Sequence, residues 1–372
     1  MMYKKVAVVV EGGGMRGAYT GGILDVFNEL GLRFGGACGT SAGVTHLCSF
    51  LSEQIGRNFR IDTVHSKSSK YMGWGNLIRT GEFFEVDYCY RQIPYEIDPF
   101  DMEKFAEACK TTEFYACSSN LETGGAEYLR VMDYRDAHDM NAIRASASLP
   151  LMSHIVELDG KKLLDGGIAD SIPFEIMEKK GFEKIVILLT QPEGFRKKPN
   201  SMIPLFKLFY RKYPKFIEAA ANRHERYNAC LDLIAEKEKA GKVFVFRPSE
   251  AMHISRLEKD KSKLVDLYNL GRKDVNARLD ALLNFFGKVN RVFMSVAEKG
   301  RRYRHYKKET MVYTVVEIAL DCETVEPLVV YRSEYETPDH PKGTLWVRKK
   351  SDFESSVTLS DGRTVDRFTL IV

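Results

Sequence analysis

Short β-branched runs alternate with amphipathic stretches at the start of the chain. Val6–Val10 is a continuous apolar run that leads into a glycine-rich loop, which is typical of a strand buried on both faces of a parallel sheet. Ala18–Leu30 carries apolar residues at helical spacing, and Gly31 follows as a helix-ending residue. Phe34–Cys38 and Ser41–Glu53 repeat the strand and the helix. The pattern predicts a βαβα unit and an α/β fold, in which helices cover a parallel sheet.

The middle of the chain continues this alternation after an irregular stretch. Residues 54–110 show no clear periodicity apart from one helix at Met102–Lys110. The runs that follow predict strands at Glu113–Ser118, Tyr128–Tyr134, His154–Leu158, Lys161–Leu164, Lys184–Thr190 and Lys242–Arg247. Helical spacing predicts helices at Met140–Ala147, Tyr213–Lys239, Ser255–Leu270 and Lys273–Phe286. Asp159 and Gly160 form a turn pair that is typical of a β-hairpin.

The last part of the chain has a different pattern. Beyond about Lys299, turn residues separate β-branched and aromatic runs at 311–320, 327–335, 344–350 and 366–372. We therefore expect a boundary near 288–300 and a small β-barrel domain over 300–372. The first domain should cover residues 1–290 and include a helical extension over about 196–290. The length of 372 residues agrees with two domains.

Composition and charge narrow the classes of function. Hydrophobic residues make up 44% and charged residues 28% of the chain, which excludes a disordered or collagen-like protein. The 55 basic and 51 acidic residues give a net charge of +4, without the basic excess of a dedicated nucleic-acid binder. We therefore expect no nucleic-acid partner.

Targeting signals and cysteine content predict a cytoplasmic protein. The run Val6–Val10 is too short for a signal peptide, and no segment approaches the roughly 18 apolar residues of a spanning helix. The 7 cysteines are odd in number and contain no CxxC pair, which favours reduced thiols over a disulfide framework or a zinc site. We expect no metal and no cofactor.

A glycine-rich loop joins the first strand to the first helix. Its residues are Gly12, Gly13, Gly14, Met15, Arg16 and Gly17. The spacing matches the dinucleotide fingerprint G-x-G-x-x-G, which requires an acidic residue at the end of the second strand, where this chain has none. Alternatively, the loop amides and the helix N-terminus stabilise the oxyanion of an acyl-transfer intermediate. A tight turn without a ligand is the third interpretation.

A G-x-S-x-G motif follows the second strand. Its residues are Gly39, Thr40, Ser41, Ala42 and Gly43. In a nucleophile elbow the serine occupies a sharp strand-to-helix turn, where crowding of the backbone requires small neighbours. The predicted strand before the motif and the helix after it fit this arrangement. The motif predicts that Ser41 is a nucleophile, with an incidental turn as the alternative.

A serine nucleophile needs a base, and two kinds of residue could supply it. Asp165, Gly166 and Gly167 directly follow a predicted strand, although Asp-Gly pairs are most often simple turns. In an α/β-hydrolase the base would instead be a histidine downstream of the acid. The histidines in that part of the chain are His224, His253, His305 and His340, and none has a distinctive sequence setting.

The three motifs together resemble the patatin-like phospholipase family over roughly residues 4–290. Residues 147–150, a small-residue and proline segment ahead of Asp165, add to the resemblance. The resemblance implies a three-layer α/β/α sandwich with a mainly parallel sheet. It also implies a Ser–Asp dyad in which Ser41 is the nucleophile and Asp165 the base, and a substrate that is a lipid or acyl ester. Amides of the glycine loop, with Arg16 nearby, would form the oxyanion hole.

One position departs from the family pattern. The family loop commonly begins with Asp before the glycines, and here the residue is Glu11. Since oxyanion donors are main-chain groups, we expect little effect on them. The departure leaves open whether the carboxylate of Glu11 makes a structural hydrogen bond.

The tail resembles the DUF1653 family, a small bacterial domain. The matching residues include Tyr303, His305, Tyr306, Glu323, Thr324, Trp346, Phe353 and Phe368. The resemblance implies a compact SH3-like barrel that binds an unidentified ligand. A purely structural appendage is the alternative.

Residues 196–215 are strongly basic. They contain Lys or Arg at seven positions and no acid, and apolar residues such as Leu205, Leu208 and Phe209 lie between the charges. Such a segment could contact anionic lipid at the inner face of the membrane. The alternative is a solvated loop and a helix that packs on the core.

Three hypotheses about function follow. The first is a serine acyl hydrolase of the phospholipase A or lysophospholipase type, which acts on lipid or fatty-acyl esters through an acyl-Ser41 intermediate. The second is a non-catalytic binding or scaffold protein in which the C-terminal barrel is the interaction module. The third is a nucleotide-dependent oxidoreductase. The intact Ser41, Asp165 and glycine loop favour the first hypothesis.

Overall fold

The computed structural model describes residues 2–286, 297–308, 310–322, 326–360 and 364–371. The chain divides into two compact units, one at Met2–Phe286 and one that begins at Gly287. Each unit is described below by itself.

The first unit contains eight strands and eleven α-helices. The strands are β1 Met2–Val10, β2 Arg33–Thr40, β3 Glu113–Asn120, β4 Ala126–Val131, β5 Val156–Leu158, β6 Lys161–Asp165, β7 Lys184–Leu188 and β8 Val243–Phe246. The helices are α1 Ala18–Glu29, α2 Ala42–Leu51, α3 Arg57–Thr63, α4 Trp74–Thr80, α5 Met102–Thr111, α6 Ala137–Ala147, α7 Phe174–Lys179, α8 Ile203–Phe209, α9 Pro214–Ala221, α10 Arg223–Lys239 and α11 Lys261–Phe286. A π-helical segment covers Tyr88–Ile97.

The strands form one mainly parallel sheet, as the βαβα pattern predicted. The strand order is β5-β6-β3-β2-β1-β7-β8, and β4 also pairs with β3. The pairs among β3, β2, β1, β7 and β8 are parallel, whereas β4, β5 and β6 are antiparallel additions. Val10 is opposite Gly39 on one side and Leu188 on the other. The loops that follow β1 and β2 therefore emerge side by side at the carboxyl edge of the sheet.

Helices cover both faces of this sheet. Along β1, Val8 and Val10 belong to a core cluster that includes Ile23 and Phe27 of α1. Val9 points to the other face, in a cluster with residues of α7 and α10. The near-continuous apolar sequence of β1 follows from this burial on two faces. Among the described residues, every helix falls short of the length or the apolar character needed to cross a membrane.

Several predicted elements have different bounds in the structure. Residues 54–110, predicted to be irregular, contain α3, α4 and the π-helical segment. Two of the glycines in this stretch flank short helices, since Gly56 precedes α3 and Gly81 follows α4, both with φ of 77°. The predicted helix Tyr213–Lys239 is interrupted at Asn222. The predicted helices Ser255–Leu270 and Lys273–Phe286 are one helix, α11.

Gly271 explains why the break predicted between the last two helices is absent. This residue lies inside α11, where a Cβ atom would be 2.1 Å from the carbonyl oxygen of Tyr19 in α1. In the opposite direction, a Cβ on Gly22 of α1 would be 2.1 Å from the carbonyl oxygen of Tyr268. The glycine therefore permits a close crossing of two helices and does not end one.

The second unit is rich in β-structure, as its sequence predicted. It contains β9 Arg302–His305, β10 Val312–Leu320, β11 Pro327–Ser333, β12 Leu345–Lys349, α12 Lys350–Phe353, β13 Ser356–Thr358, β14 Thr364–Asp366 and β15 Phe368–Ile371. An antiparallel sheet has the order β12-β11-β10-β9-β15, and β13 pairs separately with β14. The four predicted runs are β10, β11, β12 and β15, while β9, β13 and β14 lacked a clear signal.

The aromatic residues that carried the resemblance of the tail form its core. Tyr303, Phe353 and Phe368 are fully buried, and the rings of Phe353 and Phe368 stack at 4.0 Å. This packing accounts for these residues without a ligand. Closure of the sheet into an SH3-like barrel stays a prediction. Most of the predicted boundary near 288–300, together with Glu323 and Thr324, lies outside the described residues.

Candidate active site

Ser41 occupies a strained turn between β2 and α2. Its φ of 56° and ψ of −128° lie in a region that favours glycine. Such a conformation costs on the order of 1–3 kcal/mol and persists only where the surrounding structure imposes it. A Cβ on Gly39 would be 2.6 Å from the amide nitrogen of Val44, and a Cβ on Gly43 would be 2.4 Å from the carbonyl oxygen of Val10. The two glycines of the motif are therefore required by the geometry of the turn.

Hydrogen bonds from neighbouring elements hold this turn in place. The amide of Ser41 donates to the hydroxyl of Ser146 in α6, at 3.1 Å. That hydroxyl in turn donates to the carbonyl oxygen of Cys117 in β3, at 2.5 Å. Thr40, the residue before Ser41, is also held in place, because its hydroxyl donates to the carbonyl oxygen of Asp170 at 3.0 Å. Ser146 was not identified from the sequence, since no local pattern marks it.

The glycine loop lies directly against the Ser41 turn. A Cβ on Gly12 would be 3.0 Å from the Cβ of Ser41. The amide of Gly12 donates to the carbonyl oxygen of Ser171 at 3.3 Å, and the amide of Met15 donates to that of Arg256 at 3.0 Å. The amides of Gly13 and Gly14, which lie between Gly12 and Met15, have no hydrogen-bond acceptor within the described chain. Both residues line the same cavity as Ser41.

The loop residues differ in what they contact. Gly12, Gly13, Gly14 and Met15 line the cavity, whereas Arg16 and Gly17 do not contribute to the lining formed by the described residues. Gly17 packs against the ring of His46. Burial lowers the pKa of the Arg16 guanidinium.

Glu11 anchors the start of the loop. Its carboxylate is 1% exposed and accepts hydrogen bonds from the amide of Thr190 at 2.6 Å and from the hydroxyl of Thr190 at 3.0 Å. The phenol of Tyr227 in α10 donates to the same carboxylate at 2.6 Å. The question that the sequence left open is therefore answered, because Glu11 makes three structural hydrogen bonds.

Asp165 is the last residue of β6 and lies in the same cavity as Ser41. The residue is 5% exposed, and its Oδ1 atom accepts a hydrogen bond from the amide of Gly167 at 2.7 Å. Its Oδ2 atom is buried and has no hydrogen-bond partner among the described groups. A buried carboxylate oxygen without a donor is costly, so this atom is poised to accept a proton.

The surroundings of Asp165 favour its protonated form. Burial raises the pKa of this carboxyl, and the Ser41 hydroxyl, the Gly167 amide and the guanidinium groups of Arg223 and Arg256 offset part of that effect. The Ser41 hydroxyl is near enough to stabilise the charged carboxylate, but it lacks the geometry of a regular hydrogen bond to Oδ2. Catalytic hydrogen bonds are often long or poorly aligned when no substrate is bound.

The structure offers little support for a histidine base. His224 and His253 do not line the cavity formed by the described residues. His46 does line it and was not identified from the sequence. Its Nδ1 atom, however, forms a hydrogen bond with the Thr20 hydroxyl at 3.2 Å, and its Nε2 atom lies 3.3 Å from Oδ2 of Asp62 without the geometry of a hydrogen bond. Each ring nitrogen therefore faces a group other than Ser41.

The cavity next to Ser41 is mostly apolar. Apolar and aromatic side chains from helices and from the segments between them form its wall, and they include Ile61, Tyr71, Phe84, Ile93, Phe100, Tyr134, Ile143 and Leu149. Leu149 belongs to the small-residue segment that the sequence resemblance noted. The lining also includes three arginines, Arg57, Arg223 and Arg256, and the charges of the last two act on Asp165. A flexible hydrocarbon chain suits the apolar part of this cavity.

The basic segment 196–215 divides into two parts. Arg196 forms an ion pair with Asp232 at 2.5 Å, and the Lys197 ammonium lies 3.7 Å from the ring centre of Tyr227. These two cations are therefore engaged within the protein. Helix α8, in contrast, buries Phe206 but exposes a set of apolar side chains. Those side chains are Leu205, Leu208 and Phe209, exposed by 43%, 64% and 67%.

Comparison with known families agrees with the motifs. Residues 8–177 match the family described as patatin-like phospholipase. Residues 213–287 match a domain of unknown function, DUF6363, and residues 301–370 match a protein family of unknown function, DUF1653. The resemblances drawn from the motifs to the patatin-like phospholipase family and to DUF1653 are confirmed over these ranges. Of the residues 4–290 over which this resemblance was expected, the patatin-like phospholipase family matches 8–177, and residues 213–287 match DUF6363 instead.

Individual relatives are distant. The chain is 25% identical over 273 residues to the uncharacterized protein YjjU of Escherichia coli, an alignment that covers 72% of this chain and 75% of that protein. It is 26% identical over 190 residues to lysophospholipase nte1 of Aspergillus niger, which covers 49% of this chain but only 12% of that protein. The crystal structure of VipD from Legionella pneumophila is 12% identical, with a TM-score of 0.37 over 74% of this chain and 66% of VipD. A TM-score at that level supports no conclusion.

Proposed function

We propose that this protein is a serine acyl hydrolase that cleaves lipid or fatty-acyl esters through an acyl-Ser41 intermediate, with Asp165 as the base. One observation carries the proposal. Ser41, in its strained turn, shares an apolar cavity with two unpaired amides, those of Gly13 and Gly14, and with the buried carboxyl of Asp165.

The first half of the reaction forms the acyl-enzyme. The Ser41 hydroxyl attacks the ester carbonyl and transfers its proton to Oδ2 of Asp165, whose raised pKa makes it a stronger base than an exposed aspartate. The negative charge that develops on the carbonyl oxygen accepts hydrogen bonds from the amides of Gly13 and Gly14. Asp165 then gives the proton to the departing alcohol, and the ester C–O bond breaks.

The second half releases the acid. Water attacks the acyl-Ser41 carbonyl, and Asp165 accepts a proton from it. The same two amides stabilise the second oxyanion. The C–O bond to Ser41 breaks, the proton returns to the Ser41 oxygen, and a free fatty acid leaves the cavity. Besides the substrate and this water, the steps use Ser41, Asp165 and the two loop amides.

Two further findings support a lipid substrate. The apolar wall of the cavity can take up an acyl chain, whose burial contributes about 0.8 kcal/mol for each methylene. The match to the patatin-like phospholipase family covers Ser41 and Asp165, and one relative carries the name lysophospholipase. Hydrolysis of such esters by this chain is therefore the activity to test first.

A panel of esters with increasing acyl length tests the proposal. We expect kcat/KM to rise with chain length for the wild type, because each methylene that enters the cavity adds to binding in the transition state. The panel should include p-nitrophenyl esters, monoacylglycerols and lysophospholipids, each assayed with the wild type and with Ser41→Ala. Equal rates for the two proteins on every ester would contradict the proposal.

Helix α8 suggests how the enzyme reaches lipid. Its exposed apolar residues Leu205, Leu208 and Phe209 lie beside the exposed cations Lys207 and Arg211. This combination suits the interface of an anionic membrane, where the apolar groups insert and the cations contact head groups. We include peripheral membrane contact through α8 and the residues after it in the proposal.

A further inference from the structure

Ser118 of β3 lies directly opposite Asp165 of β6 in the antiparallel pairing of these two strands. Residues paired in this way point to the same face of a sheet, with their Cβ atoms about 4.5–5.5 Å apart. Two positions earlier on each strand, Ala116 and Leu163 belong to a core cluster that also contains residues of α2 and α6. The side chains of Ser118 and Asp165 therefore share the face of the sheet that α2 and α6 cover.

Each of these two side chains has a buried oxygen without a partner. Among the described groups, neither Oγ of Ser118 nor Oδ2 of Asp165 has a hydrogen-bond partner, and both atoms are closed to solvent. The Ser118 residue is 0% exposed. Leaving a buried polar atom unpaired is unfavourable, because the atom has lost its contacts with water. Two such atoms on facing positions of one strand pair can satisfy each other.

The other polar groups around Asp165 are already committed. The hydroxyl of Ser119 donates to the carbonyl oxygen of Asp165 at 2.8 Å and accepts from the amide of Ala169 at 3.0 Å. The Oδ1 atom of Asp165 accepts from the amide of Gly167 at 2.7 Å. These bonds fix the main chain and one carboxyl oxygen of Asp165. They leave Oδ2 as the oxygen that still needs a donor, and the Ser118 hydroxyl as a donor that no other described group uses.

We propose that Ser118 is a positioning residue for the base, and that its hydroxyl donates a hydrogen bond to Oδ2 of Asp165 when this carboxyl is charged. This inference rests on the proposed function. Rotation about the Cα–Cβ bond carries a serine hydroxyl between three staggered positions, so it can turn toward β6 without movement of the backbone. A carboxylate oxygen has two lone pairs and can accept from Ser118 and Ser41 together. Ser118 therefore supports the base without competing with the nucleophile.

The contact would affect the two protonation states of Asp165 differently. Burial raises the pKa of this carboxyl. Several groups offset part of that effect, namely the Ser41 hydroxyl, the Gly167 amide and the charges of Arg223 and Arg256. A hydroxyl that donates to the charged form acts in the same direction as these groups. Ser118 therefore keeps a larger fraction of the enzyme in the state that can accept the Ser41 proton at neutral pH.

The pH dependence of kcat/KM on a p-nitrophenyl ester tests this role. We expect Ser118→Ala to shift the acidic limb of the profile to higher pH by about one unit, the effect of losing one hydrogen bond to a charged group. Ser119→Ala is the matched control, because its hydroxyl contacts the main chain of Asp165 and not the carboxylate. This control should lower the rate and leave the limb in place. An unshifted limb in Ser118→Ala, or a shift to lower pH, would overturn the inference.

A stability measurement tests the same contact without activity. The folded state raises the pKa of Asp165, and loss of Ser118 should raise it further. The stability lost by Ser118→Ala should therefore grow as pH rises through the folded pKa. At low pH, where the carboxyl is protonated, alanine removes an unpaired hydroxyl and should be at least as stable as serine. In an Asp165→Asn background, the effect of Ser118→Ala should be the same at every pH.

Urea unfolding of the four proteins across the pH range separates the two proposals. If the wild type hydrolyses no ester, yet the loss in Ser118→Ala depends on pH only when Asp165 is present, the positioning role stands and the proposed function fails. If the effect of Ser118→Ala is the same at every pH in both backgrounds, Ser118 is only a packing residue and the inference is overturned.

Discussion

The phenol of Tyr227 donates a 2.6 Å hydrogen bond to the buried carboxylate of Glu11, which lies 216 positions earlier in the chain. Glu11 begins the glycine loop, and Tyr227 belongs to α10, outside the segment that matches the patatin-like phospholipase family. Arg223, one turn earlier on α10, lines the cavity. The helical segment after residue 213 therefore supplies part of the wall of the candidate site and part of the support for its loop.

Tyr227→Phe tests this support. The substitution leaves a buried carboxylate with one donor fewer, so we expect the free energy of unfolding to fall by about 1–3 kcal/mol. We also expect kcat on a p-nitrophenyl ester to fall, because the loop amides lose part of their anchoring. Urea unfolding and steady-state kinetics measure the two effects. Tyr95→Phe, at a side chain that is 53% exposed, is the matched control, and an equal response of the two variants would contradict the account.

Backbone strain at Ser41 predicts an unusual order of stability. Since φ is 56° at this position, Ser41→Gly should be more stable than Ser41→Ala, with a free energy of unfolding about 1 kcal/mol or more higher. Both variants should be inactive. At Ser262, an exposed position in α11, the order should be reversed, because alanine is favoured over glycine in a helix. Chemical denaturation of the glycine and alanine variants at both positions measures the four free energies of unfolding. If alanine were more stable than glycine at both positions, strain at Ser41 would be excluded.

Asp165→Asn should lose activity and gain stability at neutral pH. Burial raises the pKa of Asp165 in the folded state above its ordinary value. The folded protein therefore binds this proton more tightly than the unfolded chain, and stability falls as pH rises through the ordinary pKa toward the folded one. Above that range the buried charge lowers the free energy of unfolding of the wild type by a constant amount, and asparagine removes this effect.

We therefore expect a higher Tm for Asp165→Asn at pH 7 and a smaller difference from wild type as pH is lowered toward the ordinary range. Asp98 provides a control of opposite sign. Although burial opposes it, hydrogen bonds from Arg60 and His65 lower the pKa of Asp98, so Asp98→Asn should destabilise the protein at pH 7. A lower Tm for Asp165→Asn at neutral pH would contradict the assignment of a buried, proton-accepting carboxyl.

Helix α8 predicts binding to anionic lipid. We expect the wild type to bind vesicles more strongly as their anionic content rises and less strongly as salt is added. Arg211→Glu with Lys212→Glu should weaken this binding, and Leu208→Ser with Phe209→Ser should weaken it at every salt concentration. Lys239→Glu with Lys242→Glu makes the same change of charge at the end of α10. Cosedimentation that is equal for both charge-reversed proteins would exclude a specific role of α8.

The sequence was informative where function depends on local geometry. Gly39 and Gly43 are needed because the backbone of the Ser41 turn is crowded, and this requirement appears as a short motif. The position of Asp165 beside Ser41 could not be derived in this way, since β6 and β2 meet only through β3. That pairing came from the family resemblance.

Residues brought in by long-range packing gave no signal. Ser146, Tyr227 and Arg256 support or line the site from elements far along the chain, and no motif includes any of the three. The sequence predicts two helices on either side of Gly271, because a glycine inside a helix and one at its end look alike without knowledge of α1. These features depend on tertiary contacts, which periodicity and short motifs do not encode.

Covalent trapping of Ser41 tests the central proposal most directly. A fluorophosphonate probe reacts with activated serine hydroxyls, and peptide mass spectrometry locates the adduct. We predict a stoichiometric adduct on Ser41 in the wild type and in Ser262→Ala, a slower reaction in Asp165→Asn, and no adduct in Ser41→Ala. Labelling of Ser41→Ala at the wild-type rate and extent would contradict the proposal that Ser41 is the nucleophile.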